Sequence, residues 1–120
     1  MVSNFLHITP VLSSEDLVRD IQWYSDKLGF SKTFGQEGYA VLHREDQWIH
    51  LQWHANTAED PLNGGSVVKI FVRDIQSIFK ELLDRGSISP DKLNENTPWG
   101  THEIGLYDLS GNAIYFVQDI

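Results

Sequence analysis

Hydrophobic and polar positions follow one pattern that occurs twice in this chain. Within 17–28 the apolar residues are spaced by four, three and four positions, as on one face of an α-helix. Asp16 precedes this segment as a capping residue and Gly29 ends it. Asp74, which lies 58 positions after Asp16, begins a second such segment that ends at Gly86. The spacing predicts two similar half-modules with one helix each.

Strands are predicted where residues alternate with period two, or where short apolar runs lie between turn residues. In the first half these segments are 6–12, 30–34, 39–43 and 48–53. In the second half they are 67–72, 88–90, 103–107 and 113–117, of which 88–90 is poor and is followed by a polar loop at 91–97. The predicted order is therefore βαβββ twice, with a linker at about 55–64.

This order predicts an α+β fold in which two βαβββ half-modules form paired, curved, mixed sheets that enclose a cavity. The chain is expected to be a single domain over 1–120, with half-modules at about 1–54 and 65–120. The cavity forms either within the chain or between chains that exchange halves, and periodicity does not decide which.

Composition restricts the function classes. The formal net charge of −8 and the scattered Lys and Arg residues argue against nucleic acid as a partner. No apolar run reaches the roughly 20 residues of a membrane span, and no secretory leader pattern is visible at the N-terminus. The chain has no cysteine, so disulfides, thiolate metal sites and Cys nucleophiles are absent from its chemistry. A cytoplasmic location is expected, with no membrane partner.

Several short segments carry a resemblance to a known family. They are Pro10–Leu12, Trp23–Phe30, Pro98-Trp99-Gly100, Glu103–Asp108 and Gly111-Asn112. Over essentially its whole length the chain resembles the vicinal-oxygen-chelate superfamily, which includes glyoxalase I, fosfomycin-resistance enzymes, extradiol dioxygenases and the metal-free bleomycin resistance proteins. It is most similar in appearance to the last group. Thr101 departs from the pattern as an extra residue before the seventh strand.

The resemblance implies four positions where metal-using members place ligands. Counting from the helix caps and the turns, these are Thr9, His50, Val67 and Tyr115. Only His50 is a good ligand for a divalent cation, because Val67 has no donor and the two hydroxyl groups are poor donors. No metal or other cofactor is expected, and His7, His50 and Glu103 are the weak alternative set.

Alternation on the fourth strand predicts which side chains face the cavity. Trp48, His50 and Gln52 share one face, so 49, 51 and Trp53 should pack beneath the helices. Trp99 lies in a loop, where it either contacts a ligand or covers a sheet edge. Tyr24 is expected in the hydrophobic core. His43, His54 and His102 are expected to be surface or edge histidines.

The same resemblance implies a homodimer that exchanges its N-terminal arm and binds a ligand in grooves at the subunit interface. The positions that match groove residues are Phe34, Tyr39, Gln52 and Lys69, with Trp99 and Gly100 nearby. Lys69 differs in character, since an aromatic residue stands there in at least one close relative. The complete set of expected ligand-binding residues is Phe34, Tyr39, Trp48, His50, Gln52, Lys69, Trp99, Gly100 and Tyr115.

These observations favour a metal-independent small-molecule binding protein of the bleomycin-resistance type. It would sequester a planar aromatic or cationic antibiotic-like ligand, a role that requires no catalytic residue. Two alternatives stay open. One is a divergent metal-dependent glyoxalase-like lyase or dioxygenase that uses His7, His50 and Glu103. The other is an orphan ligand-binding protein without activity against antibiotics.

Overall fold

The computed structural model describes residues 4–53 and 65–120. The first half contains β1 (Val11–Ser14), α1 (Leu17–Leu28), β2 (Ser31–Gln36), β3 (Tyr39–Arg44) and β4 (Gln47–Trp53). The second half contains β5 (Val67–Phe71), α2 (Ile75–Asp84), a 3-10 turn at Pro90–Lys92, β6 (Leu93–Asn94), β7 (Thr101–Tyr107) and β8 (Ala113–Asp119). The predicted linker at about 55–64 and His54 lie outside the described residues. The α+β fold with βαβββ order in each half is confirmed.

Each half forms a four-stranded mixed sheet, ordered β1-β4-β3-β2 in the first and β5-β8-β7-β6 in the second. The first strand of each half runs parallel to the last, and the other pairs are antiparallel. Val11 lies beside His50 in the first sheet, and Lys69 lies beside Tyr115 in the second. Equivalent positions of the first and last strands are therefore paired in the same way in the two sheets.

Both helices begin and end where their capping residues predict. The Asp16 carboxylate accepts a hydrogen bond from the backbone N–H of Arg19, and the Asp74 carboxylate accepts one from Gln76. Gly29 has φ 71° in the left-handed region, which closes α1 at low steric cost. These local contacts are encoded within a few residues of each helix end.

One continuous hydrophobic core lies on the helix side of both sheets. Tyr24 and Leu28 of α1 and Ile75 and Leu82 of α2 are all buried in it. The sheet residues that face the helices complete the core: Leu12, Ala40, Leu42, Ile49, Leu51, Ile104, Ile114 and Phe116. Since burial of apolar side chains is the main favourable term in folding, this core holds the halves together.

A buried polar network also joins the halves at the turn between β7 and β8. Asp108 accepts hydrogen bonds from the backbone N–H groups of Ser110 and Asn112 at 3.0 and 2.8 Å. The Asn112 amide donates to the backbone carbonyl of Ser13 at 2.9 Å and accepts from the N–H of Ser66 at 3.0 Å. The Asp-x-x-Gly-Asn segment therefore shapes the turn and ties it to β1 and to the start of β5.

Two predicted strands are placed differently in the structure. The strand predicted at 6–12 begins only at Val11, and Leu6 and Ile8 before it are 89% and 97% exposed. The strand predicted at 88–90 is absent, and the sheet is completed by Leu93–Asn94 within the predicted polar loop. Neither helix among the described residues combines the length and apolar character needed to cross a membrane.

Candidate functional site

The face of the β1–β4 sheet that points away from the helices carries many of the expected ligand-binding residues. We call it the first open face. Strand register places Tyr39 opposite Gln52, Val41 opposite His50 and His43 opposite Trp48. Phe34 is 55% exposed and Trp48 is 37% exposed, so aromatic surface is accessible there. The predicted grouping of Trp48, His50 and Gln52 on one face is what the structure shows.

Four rings on the first open face form two pairs. The Tyr39 hydroxyl lies 2.5 Å from Nδ1 of His50, and the two rings meet edge to face with centroids 5.3 Å apart. The rings of His43 and Trp48 are stacked, with centroids 5.1 Å apart and planes inclined by 29°. His43 also hydrogen-bonds the Thr33 hydroxyl through Nδ1. Neighbouring contacts thus orient the rings before any ligand arrives.

The corresponding face of the β5–β8 sheet, which we call the second open face, carries Lys69 and Tyr115 on neighbouring strands. Both Val67 and Phe71 on its outer strand are more than 60% exposed, at 63% and 61%. The Tyr115 ring lies against Gly105, where a Cβ would be only 2.6 Å from Cε1 of the tyrosine. Glycine at 105 therefore lets the ring lie close to the sheet.

Trp99 stands at the edge of the second open face with 65% of its side chain exposed. Its indole Nε1 donates a hydrogen bond of 2.7 Å to Oε2 of Glu103, a residue that is itself buried. Thr101 donates its hydroxyl proton to the same oxygen at 2.6 Å. These two hydrogen bonds, the Thr101 hydroxyl first, lower the pKa of Glu103, and the nearby Lys69 charge adds to the effect.

The expected ligand-binding residues therefore form two groups. Five of them share the first open face, and these are Phe34, Tyr39, Trp48, His50 and Gln52. Four belong to the second open face or its edge, and these are Lys69, Trp99, Gly100 and Tyr115. Trp48 and Lys69 line a common cleft of about 460 Å³ between residues 7–10, the start of β4 and strand β5.

The three candidate metal ligands His7, His50 and Glu103 lie in different parts of the structure. His50 is hydrogen-bonded to Tyr39 on the first open face. Glu103 is hydrogen-bonded to Thr101 and Trp99 on the second open face. His7 lies beside Thr9 in the N-terminal segment. Within 4–53 and 65–120 the structure brings no three His, Asp or Glu side chains together as a metal site. Thr9 precedes β1, so the residue that lies beside His50 is Val11.

The expectation that Trp53 packs beneath the helices was wrong. Trp53 is on the helix side of β4 but is 48% exposed, because it lies at the end of the strand. His43, expected to be a surface or edge histidine, is partly exposed near the end of β3 and stacks on Trp48. The contact between His43 and Trp48 could have been predicted from the two-residue turn between β3 and β4, because that turn sets position 43 opposite position 48.

A family model described as the Glyoxalase/Bleomycin resistance protein/Dioxygenase superfamily matches residues 4–116. The bleomycin resistance protein of Geobacillus stearothermophilus is 26% identical, over 96% of this chain and 98% of that protein.

Solved structures have a similar fold. A bleomycin resistance determinant encoded on the transposon Tn5 has a TM-score of 0.78 at 23% identity, over 96% of this chain and 98% of that one. The bleomycin-binding protein of Streptomyces verticillus, solved with copper(II)-bleomycin, has a TM-score of 0.76 at 27% identity, over 97% of each chain. The similarity thus covers both halves.

Proposed function

This chain belongs to the Glyoxalase/Bleomycin resistance protein/Dioxygenase superfamily, and from that premise we propose that it is a metal-independent binding protein for a bleomycin-like molecule that carries a flat heteroaromatic group. The resemblance drawn from its sequence is thereby confirmed. The observation that carries the proposal is the pair of oriented ring contacts on the first open face, Tyr39 with His50 and His43 with Trp48.

These ring pairs suit stacking with a flat heteroaromatic group. An aromatic pair contributes about 0.5–1.5 kcal/mol beyond the burial of its area. Micromolar affinity requires about 8.2 kcal/mol, which a few such contacts and the burial of a drug-sized body together supply. Sequestration then needs only stoichiometric binding. The relative named as a bleomycin resistance protein and the bleomycin-binding protein solved with copper(II)-bleomycin support bleomycin as the first ligand to test.

We propose that two copies of the chain complete the binding groove. Each open face presents exposed apolar side chains, among them Phe34 and Trp48 on the first and Val67 and Phe71 on the second. Exposed apolar surface of this kind is typical of an interface. Sedimentation velocity should give twice the 13.7 kDa mass of the chain. A species that stays monomeric at micromolar concentration would contradict this part of the proposal.

The metal-dependent alternative is not proposed. A lyase or dioxygenase of this family type needs several donors around an open coordination position. Here His50 and Glu103 belong to different sheets, and each is already hydrogen-bonded to another side chain, His50 to Tyr39 and Glu103 to Trp99. The cytoplasmic location expected from the sequence stays a prediction, which fractionation of cells that express the protein would check.

Fluorescence titration with metal-free bleomycin tests the proposed function. We expect quenching of tryptophan emission with a Kd at or below about 10 µM, and a matching stoichiometry by calorimetry. Trp48→Phe should lose a measurable part of the quenching and weaken binding. Trp53→Phe is the matched control, because Trp53 lies on the same strand and is similarly exposed but points to the opposite face.

Lack of heat and of quenching at about 100 µM bleomycin would exclude it as a ligand, since binding would then be weaker than about 5.5 kcal/mol. Equal losses in the Trp48 and Trp53 variants would show that the first open face is not the site. Expression in a bleomycin-sensitive bacterium separates a resistance protein from an orphan binder, because only the former raises the inhibitory concentration.

A further inference from the structure

The loop that carries Trp99 is ordered by its own hydrogen bonds. The backbone N–H of Thr97 donates to the carbonyl of Thr101 at 2.9 Å, and that of Gly100 donates to the carbonyl of Thr97 at 3.0 Å. Gly100 has φ 87°, a conformation that side-chain-bearing residues rarely adopt. The N–H of Ile120 in turn donates to the carbonyl of Gly100 at 3.0 Å. The backbone under the exposed indole is therefore held on several sides.

The side chains around this loop form a chain of hydrogen bonds with a defined direction. Thr101 donates its hydroxyl proton to Oε2 of Glu103, so the 2.8 Å contact between the hydroxyls of Thr97 and Thr101 must be donated by Thr97. The Thr97 oxygen in turn accepts the backbone N–H of Thr101 at 3.0 Å. The hydroxyl protons of Thr97 and Thr101 therefore both point along this series of hydrogen bonds toward Glu103.

Glu103 is the end point of that series of hydrogen bonds, and within residues 4–53 and 65–120 its carboxylate is the hydrogen-bond acceptor of the Trp99 indole. It is 7% exposed, whereas the indole bonded to it is 65% exposed. A buried carboxylate holds an exposed ring more firmly than a neutral acceptor does, because hydrogen bonds to ionised groups are shorter and about twice as strong. The pKa of Glu103 is lowered by these same bonds, so the group stays ionised at neutral pH.

We propose that Glu103 is a positioning residue for ligand binding, which fixes the indole of Trp99 as a preformed stacking surface for the flat heteroaromatic part of the ligand. This inference rests on the proposed function and adds the residue that holds the stacking ring in place. An unanchored Trp99 would have to give up rotamer freedom when the ligand binds, whereas the anchored ring has already lost it. The Glu103 carboxylate thus acts through Trp99 and does not itself contact the ligand.

The first experiment uses the free protein. In a 1H–15N spectrum the Trp99 indole resonance, identified by its disappearance in Trp99→Phe, should lie downfield and exchange with solvent slowly for a ring that is 65% exposed. Glu103→Gln should shift it and speed its exchange at least several-fold. Exchange as fast as in free indole in the wild-type protein would overturn the proposal, whether or not any variant folds.

The second experiment measures affinity for metal-free bleomycin in a double-mutant cycle. Glu103→Gln should weaken binding about tenfold, equivalent to about 1.4 kcal/mol, in the wild-type background and less than twofold in the Trp99→Phe background. The matched control is Glu37→Gln, which makes the same charge change at an exposed turn. Equal losses in both backgrounds would overturn a role that acts through Trp99.

The two proposals fail in different ways. If wild-type protein does not bind bleomycin but its Trp99 indole proton is protected by Glu103, the choice of ligand is wrong and the preformed stacking surface stands. If bleomycin binds and the indole proton exchanges freely in the wild-type protein, the proposed function stands and the role of Glu103 is wrong.

Discussion

The hydroxyl of Tyr24 in α1 lies 2.7 Å from Oδ2 of Asp108, which belongs to the turn between β7 and β8 of the other half. Both side chains are buried, and the same Asp108 oxygen also accepts the Asn112 amide at 2.8 Å. Burial raises the pKa of Tyr24, and the Asp108 carboxylate raises it further. The phenol therefore stays protonated and acts as a donor that connects the halves.

Tyr24→Phe should destabilise the protein by about 1–3 kcal/mol, because it removes a hydrogen bond from a buried carboxylate and leaves the core packing intact. Urea unfolding followed by circular dichroism measures the change. Tyr107→Phe is the matched control, since Tyr107 is 72% exposed and should lose less than about 0.5 kcal/mol. Equal losses in the two variants would contradict a special role for the Tyr24 hydroxyl.

Stability should decline as pH falls below about 4.5. Glu81 bonds Arg44 at 2.6 Å and Arg85 at 2.8 Å, and these contacts, Arg44 first, lower its pKa from the ordinary value of 4.5. A carboxyl group with a lowered folded-state pKa contributes stability above its unfolded-state pKa and loses it as pH falls through the folded-state value. Glu103 contributes with the same sign.

The acid effect can be assigned with Glu81→Gln. Urea midpoints measured between pH 7 and pH 3 should fall steeply below pH 4.5 for the wild type and less steeply for the variant. Glu37→Gln, at the exposed β2–β3 turn, should keep the wild-type slope. An unchanged slope in Glu81→Gln would mean that its ion pairs are already screened by solvent.

The N-terminal segment should contribute to association between two copies. Leu6 and Ile8 are 89% and 97% exposed, although both are large and apolar. The double variant Leu6→Asp/Ile8→Asp should weaken dimerisation at least tenfold in sedimentation equilibrium, because charge in an apolar interface is costly. Val18→Asp, on the 83% exposed surface of α1, is the control and should leave the association constant unchanged.

Gly105→Ala should displace the Tyr115 ring from the second open face. The added Cβ would lie 2.6 Å from Cε1 of the tyrosine, so the ring has to move or the sheet has to bend. Overpacking of this kind costs about 1–3 kcal/mol, measured by urea unfolding. In a Tyr115→Ala background the same glycine substitution should cost less than half as much, and an equal cost in both backgrounds would locate the strain elsewhere.

Prediction from sequence was accurate where the determinants are local. The ends of α1 and α2 follow from Asp16, Asp74 and the glycines after each helix, because a cap acts through neighbouring residues. The shared face of Trp48, His50 and Gln52 follows from the period of a strand alone. These features depend on residues that are close in the chain.

Prediction from sequence was less accurate where a strand depends on a partner that is distant in the chain. Residues 6–10 have a strand-like pattern, yet β1 pairs with β4 only from Val11 onward. Leu93 and Asn94 lie in a polar stretch but pair with Ile104 and Glu103 of β7. Strand pairing is a property of two segments together, so the pattern of one segment is an incomplete guide.

The amino-acid sequence by itself determined the repeated βαβββ order, the family and the list of side chains available for binding. Only the tertiary structure decided how those side chains are combined: the stacking of His43 on Trp48, the hydrogen bond from Trp99 to Glu103, and the division of the candidate residues between two faces. The physical reason is that periodicity depends on neighbours in the chain, whereas contacts across strands depend on register and on the core that orients both sheets.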